Sequence, residues 1–314
     1  MIPLLIVALA GMFAERSGVI NLALEGEMII GAFCGAVAVY SFQKSGAMVN
    51  SPQLMYIVAM IIAAACSAVY SLLLSFSAIN LKADQTIGGT ALNMLAPAIV
   101  STIGLAFFNQ EKIEMLKSTK YVIINDELTG LAKILGDRMY ISTYIVIAIF
   151  ILLSIWVYKS KTGMRMRACG EHPQAAASVG INVYKMRYAG VMISGVLGGL
   201  GGLVYITAGV SEWKFENGVA GFGFLALAVM IFGNWKPLNI AGASLLFGLF
   251  KCIAAAYTSL DINGDGVYWL AEIGISAHLY RMLPYIVTLL VLAFTSKSSR
   301  APKAEGIPYD KGTR

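Results

Sequence analysis

The sequence predicts an all-α fold, a polytopic membrane protein of about eight or nine membrane segments. Three observations carry this. Apolar residues make up 58% of the chain and charged residues only 13%, against ~25% charged in a typical soluble protein. Long apolar runs recur from end to end. Nearly all of the net charge sits in a single loop. At 314 residues the length alone would suit about two soluble domains of ~150 residues, yet such a chain has too little polar surface to cover a water-soluble globule. Disordered, coiled-coil, collagen-like and disulfide-framework classes are excluded on the same ground.

A helix needs ~20 mainly apolar residues to cross a ~30 Å hydrocarbon core. Apolar runs fall at residues 2–14, 22–42, 54–79, 88–108, 140–158, 188–210, 221–233, 238–258 and 282–296. Runs 2–14 and 221–233 are too short to cross comfortably alone. Residues 1–296 are read as the transmembrane domain and 297–314 as a tail. Loop 159–187 carries Lys159, Lys161, Arg165, Arg167, Lys185 and Arg187 against Glu171, a net of +5 where the whole chain has +6. The bias of Lys and Arg toward the cytoplasm places this loop inside. Four runs separate it from the tail, so the tail, with Lys297, Arg300, Lys303, Lys311 and Arg314, falls on the same side. Loops 109–139 and 259–281 then lie outside, as does the N-terminus unless run 2–14 is tilted or re-entrant. Topology accounts for the basic charge, so it is no nucleic-acid signature. No charged n-region precedes the first run, and Met1 onward reads as mature chain of a cell-membrane protein.

The four cysteines, Cys34, Cys66, Cys169 and Cys252, lack CxxC or His-flanked spacing, so neither a disulfide nor a zinc site is expected. The cluster Gly195-Val-Leu-Gly198-Gly199-Leu-Gly201-Gly202 has small residues at three- and four-residue spacings, which suits close helix packing in lipid. A flexible helix is the other reading. A short echo joins Val19-Ile-Asn-Leu-Ala23 to Pro237-Leu-Asn-Ile-Ala241. Each follows a short apolar run, the placement expected of an internal repeat beside a transport pathway; chance similarity over five residues is an equal reading.

The basic loop is the most informative stretch. It reads Arg167-Ala-Cys-Gly170-Glu-His-Pro173-Gln-Ala175-Ala176-Ala-Ser-Val-Gly180-Ile-Asn-Val-Tyr184. Pro173 suits a first helical turn, Gln174 to Ser178 are compatible with helix, and Gly180 would end it. On residues alone, a docking knob on the membrane surface and an ordinary positive-inside loop are equal readings.

The pattern Arg-Ala-x-Gly-x-x-x-x-Ala-Ala-x-x-x-Gly-Ile resembles the ATPase-docking loop of ABC importer permeases for sugars, nucleosides and branched-chain amino acids. Glu15-Arg-Ser-Gly-Val-Ile-Asn21-Leu-Ala-Leu-Glu25-Gly-Glu-Met28 is similar to the amino-terminal signature of the nucleoside branch. Gly221-Phe-Gly-Phe-Leu-Ala-Leu-Ala228, Met282-Leu-Pro-Tyr-Ile286 and Gly306-Ile-Pro-Tyr-Asp-Lys-Gly312 extend the likeness over nearly the whole chain. His172 departs from it, standing where many relatives are expected to carry Asn. The resemblance implies one of two different permease subunits, working with a cytoplasmic ATPase and an extracellular substrate-binding protein. Arg167, Gly170, Pro173, Ala175, Ala176 and Gly180 are then the coupling element. ATP and magnesium would be held by the ATPase, since this chain has no G-x-x-x-x-G-K-[ST] loop and no cofactor of its own is expected.

Polar residues near span ends are the candidate substrate pathway. Asn21, Gln85, Thr86 and Asn93 are uncharged donor–acceptors suited to ribose hydroxyls or base edges, although helix–helix hydrogen bonding is their commoner use. Phe222 and Phe224 offer aromatic faces to a base or to lipid. A carboxylate at mid-bilayer costs roughly 2.5–3.5 kcal/mol, so Glu25 and Glu27 either face protein or water as functional groups or sit at a helix start favoured by the macrodipole. Lys251 is expected to snorkel to the interface. Asp261, Asn263, Asp265 and Glu272 match D-x-[DN]-x-[DN]-G-x₅-E, the spacing of a calcium loop; an acidic turn is the plainer reading. Nothing supports catalysis: His172 and His278 are separated by topology, and no HExxH or GxSxG occurs. The expected activity is import of nucleosides by alternating access. Sugar or branched-chain amino acid import is the nearer alternative, and an ATP-independent secondary transporter the more distant one.

Overall fold

The apolar runs fold into helices packed around two of their number, α1 and α8. The computed structural model describes residues 1–46, 48, 50–115, 122–123, 139–208, 213–256 and 301–312, with scattered positions between 276 and 289. In chain order the helices are α1 (Ile2–Arg16), α2 (Leu24–Ser45), α3 (Pro52–Ser75), α4 (Gln85–Ile103), α5 (Ile141–Lys159), α6 (Lys161–Glu171), α7 (Pro173–Ser178), α8 (Val183–Ala208), α9 (Phe222–Phe232) and α10 (Pro237–Ala256). π-helical turns extend α3 through Asn80 and α4 through Phe108.

Among the described residues, six segments are long and apolar enough to cross a membrane: Leu24–Ser45, Pro52–Asn80, Gln85–Phe108, Ile141–Lys159, Val183–Ala208 and Pro237–Ala255. They correspond to six of the nine apolar runs, and the protein is a multi-pass membrane protein. The two short runs form α1, with 15 residues, and α9, with 11. At ~1.5 Å per residue both fall short of a ~30 Å core. Most of run 282–296 lies outside the described residues.

Helix α1 is buried from Pro3 to Glu15, as expected for a helix that is apolar all round. Helices α8, α9 and α10 pack most closely on it, with α5 and α6 also in contact. Helix α8 passes between α1, α2 and α3, and its glycines make this possible. A methyl group placed on Gly199 would meet the Ala63 carbonyl oxygen and Ser67 Cβ of α3, each at 2.5 Å, and Gly31 of α2 abuts the same residue. Of the two readings of this cluster, close packing is the one the structure carries out.

Arg16, at the end of α1, lies 3.7 Å from Glu171 of α6. Tail residue Ala304 donates its N–H to the Gly170 carbonyl at 2.8 Å. The basic loop and the tail therefore share one end of the molecule, as the count of intervening runs requires. Toward the other end, beyond α4 and α8, β1 (Lys112–Glu114) pairs antiparallel with β4 (Lys214–Glu216), Ile113 opposite Phe215. A second pair joins β2 (Val122–Ile123) to β3 (Met139–Tyr140). The all-α expectation has to admit these two small sheets. The echoed segments adopt different backbones: Asn21 lies between helices, whereas Asn239 is exposed in the first turn of α10.

Leucine at position 199 would have to displace backbone on α3. Gly199→Leu is expected to destabilise the protein by about 1–3 kcal/mol or more, read as a lowered melting temperature in detergent relative to the wild type.

Candidate functional site

Residues 17–23 break the chain between α1 and α2 beside Ser194, near the middle of the 26-residue α8. In an apolar surrounding every freed backbone group has to be satisfied from within the protein. Three of the residues predicted for the pathway do this. Gln85 Oε1 accepts from Ile20 N at 2.7 Å. Asn93 donates from Nδ2 to the Leu22 carbonyl at 2.6 Å and accepts through Oδ1 from Gly26 N at 2.8 Å. Asn21 Oδ1 accepts from Ala23 N at 2.9 Å, while its Nδ2 donates to Glu27 Oε1 at 2.9 Å and to Ser194 Oγ at 2.8 Å. Asn21, Glu27 and Ser194 are fully buried. Glu27 Oε2 has no hydrogen-bond partner among the described residues. Thr86, by contrast, is exposed on α4.

Glu25 closes a second helix end. Its Oε1 accepts from Gly221 N at 2.8 Å and its Oε2 from Gly223 N at 2.6 Å. The carboxylate thus sits on the N-terminus of α9, where unpaired N–H groups and the helix dipole favour an anion. Both sequence readings of this acid meet here: it faces protein, and it serves a helix start, though not that of its own helix. Phe222 packs on Tyr205, ring centroids 4.3 Å apart, and lies beneath the Lys251 ammonium at 4.8 Å. Lys251 therefore engages an aromatic face, a cation–π contact. Phe224 is half exposed on the outer side of α9.

At the end of α1, Trp235 Nε1 donates to Glu15 Oε2 at 2.5 Å, and the Trp235 carbonyl accepts from Arg16 Nη2 at 3.0 Å. Asn234 and Trp235 both hold positive φ, near 52°, a strained backbone that its neighbours have to fix. This tie between α1 and the α9–α10 turn carries no spacing signal in the sequence; Glu15 was noticed only as part of a motif.

The residues predicted for coupling separate into two faces. Pro173 begins α7, which ends at Ser178, and Gly180 follows at φ +84°. Pro173 and Ala176 point inward, whereas Gln174, Ala175, Ser178, Val179 and Gly180 are exposed. Gly170 is buried against the Arg16 carbonyl, where no side chain fits. Arg167 stacks its guanidinium over Tyr158 at 4.7 Å and braces α6 on α5. Cys169 is buried, which pushes its thiol up to about 11. A cavity of about 270 Å³ lies beside α7, lined in part by Ala177, Gly180, Tyr184, Tyr309 and Lys311.

Glu305 of the tail faces Glu15 and Arg16. Burial pushes its carboxyl up to about 7, against the hydrogen bond from Glu15 and the Arg16 charge, which both pull it down. The proposed calcium loop, residues 261–272, lies outside the described residues. No cluster of three metal-ligating side chains occurs among the described ones.

Residues 1–292 match the family described as branched-chain amino acid transport system / permease component. The chain belongs to that family. The permease is 39% identical to the guanosine ABC transporter permease protein NupQ of Bacillus subtilis (strain 168), over 99% of this chain and 94% of that one. It is 36% identical to the nucleoside ABC transporter permease protein NupC of Lactococcus lactis subsp. cremoris (strain MG1363), over 98% and 93%. A more distant relative from the same Lactococcus strain, the nucleoside ABC transporter permease protein NupB, is 25% identical over 97% of this chain and 83% of its own. No solved structure matches the permease.

The docked tail binds a proton more tightly than a free tail, because the Glu305 carboxyl is raised above its ordinary 4.5. Docking is thus strongest below about pH 4.5 and weakens as pH rises through about 7. Hydrogen exchange of residues 301–312 should quicken between pH 5 and pH 8, after correction for intrinsic rates. Glu305→Gln should flatten that change.

Proposed function

We propose that this permease imports nucleosides as one of two different membrane subunits of an ATP-driven ABC importer. An extracellular protein delivers the substrate, a cytoplasmic ATPase binds ATP and magnesium, and the spans alternate between outward and inward access. The basic loop and the C-terminal tail face the cytosol. The carrying observation is the likeness, over almost the full chain, to relatives named as guanosine and nucleoside ABC transporter permeases. That one organism has two such permeases, NupC and NupB, favours a paired subunit here.

The ATPase would dock on the exposed side of α7. Ala175 and Val179 supply an apolar contact, Val179 being 76% exposed, and α7 is short enough to move as a rigid knob. Pro173, Ala176, Gly170 and Arg167 hold the knob to α6 and to the spans behind it. Asn21, Glu25, Gln85 and Asn93 contribute to the pathway indirectly, by fixing the break and the α9 N-terminus that border it. Phe222 and Phe224 present aromatic surface for a base. An uncharged solute suits such a route. The chain supplies no chemistry of its own; it is a conduit driven by another subunit.

Val179→Asp places a charge in the proposed contact without touching the packed side of α7. We expect it to lower substrate-stimulated ATP hydrolysis of the assembled complex at least tenfold, while membrane insertion stays at the wild-type level. Wild-type hydrolysis in this variant would remove α7 as the contact.

A further inference from the structure

The motif Gly306-Ile-Pro-Tyr-Asp-Lys-Gly312 has no part in the activity so far. Its placement gives it one. Within seven residues the tail reaches five different parts of the chain. Ala304 N donates to the Gly170 carbonyl of α6 at 2.8 Å. The Ile307 carbonyl accepts from Arg187 Nη1 of α8 at 2.9 Å. Tyr309 meets Tyr184 edge-on, ring centroids 5.3 Å apart, and is buried with Cys169, Ala176 and Val183. Asp310 pairs with Lys82, just before α4, at 3.0 Å. Gly306, at φ +74°, presses on Ile20 of the α1–α2 break, where an added methyl would come within 2.7 Å of Ile20 Cδ1.

We propose that tail residues 304–310 form a strap that ties α6 and α7 to the α1–α2 break and the start of α4, positioning them to move together. The contacts differ in strength. The Lys82–Asp310 pair is exposed and contributes little. Arg187 is 1% exposed, and its Nε and Nη2 have no hydrogen-bond partner among the described residues. Losing the Ile307 carbonyl as well would leave a buried guanidinium with less still to hold it, a heavier cost than losing an exposed pair. Tyr309 adds an aromatic plug directly behind the inward face of α7, against Ala176. A push on α7 therefore meets Tyr309 first, and along the segment 306–309, held by Arg187 at Ile307, it reaches Ile20. Ile20 N is the group that Gln85 holds, so the strap ends on the hydrogen bond that joins the break to α4. Its residues touch no substrate; they position the parts that move.

This inference rests on α7 being the ATPase contact. The test uses the complete reconstituted complex and compares guanosine taken up per ATP hydrolysed. Gly306→Val and Tyr309→Ala should lower guanosine uptake at least tenfold while ATP hydrolysis stays within about threefold of wild type. Tyr309→Phe, which keeps the ring, should restore a normal ratio. A wild-type ratio in Gly306→Val or Tyr309→Ala overturns the strap, as does a Tyr309→Phe variant no better than Tyr309→Ala. Should these variants fail to assemble, spin labels at Ser178 and Lys311 decide instead. A separation unchanged between nucleotide-free and ATP-trapped complexes supports the strap, and a tail that leaves α7 overturns it. If Val179→Asp uncouples the complex but the tail variants do not, only the strap fails; if Val179→Asp is silent too, the docking reading fails with it.

Discussion

The structure depends on how a broken helix is tolerated in the middle of an apolar bundle. Residues 17–23 leave backbone donors and acceptors without helical partners beside the buried Ser194, and these have to be paired from within the protein. Gln85, Asn93 and Asn21 supply the missing partners, and Glu27 and Ser194 anchor Asn21 in turn. Gln85, Asn93 and Asn21 each commit their side-chain oxygen to a particular backbone N–H. The break is consequently well fixed, and α1, α2, α4 and α8 are fixed relative to one another through it.

The same solution recurs at the start of α9. A half-length helix ends inside the bundle and needs its N–H groups satisfied, and Glu25 of α2 provides the acceptors. Two interrupted elements, α1–α2 and α9–α10, are thereby linked through adjacent residues of one helix. Their other ends are linked by Trp235 on Glu15 and Arg16. Discontinuous helices recur in transporters, and here the backbone groups they free are taken up by side chains of the protein itself. Around the basic loop, small residues serve the opposite purpose. Gly170 lets α6 close onto the Arg16 carbonyl, where any side chain would collide.

Much of this fold is legible in the sequence. Six long apolar runs became six spanning-length helices because length and hydropathy are local properties that the bilayer judges segment by segment. The Pro173–Ser178 helix and its glycine stop were equally readable, since proline and glycine act through their own backbone. The two short sheets were not readable. Lys112 and Glu216 stand 104 residues apart, and three-residue strands leave no periodicity to detect. Nor was the division of the coupling residues into a packed face and an exposed face, which depends on where α1 and the tail lie. The contact between Lys251 and Phe222 is unreadable for a similar reason: the two residues come from different helices.

The sequence by itself determined that the chain inhabits a membrane, which segments are long enough to cross it, and which loop carries the charge. These follow from composition and from the ~20 residues a helix needs to span the hydrocarbon. The tertiary structure alone decided what the polar residues do. Whether Asn21, Gln85, Asn93 and Glu25 meet a solute or a backbone amide depends on which helix stands opposite, and in lipid that is set by shape and small-residue packing. Pairwise geometry between distant segments leaves little trace in a one-dimensional pattern.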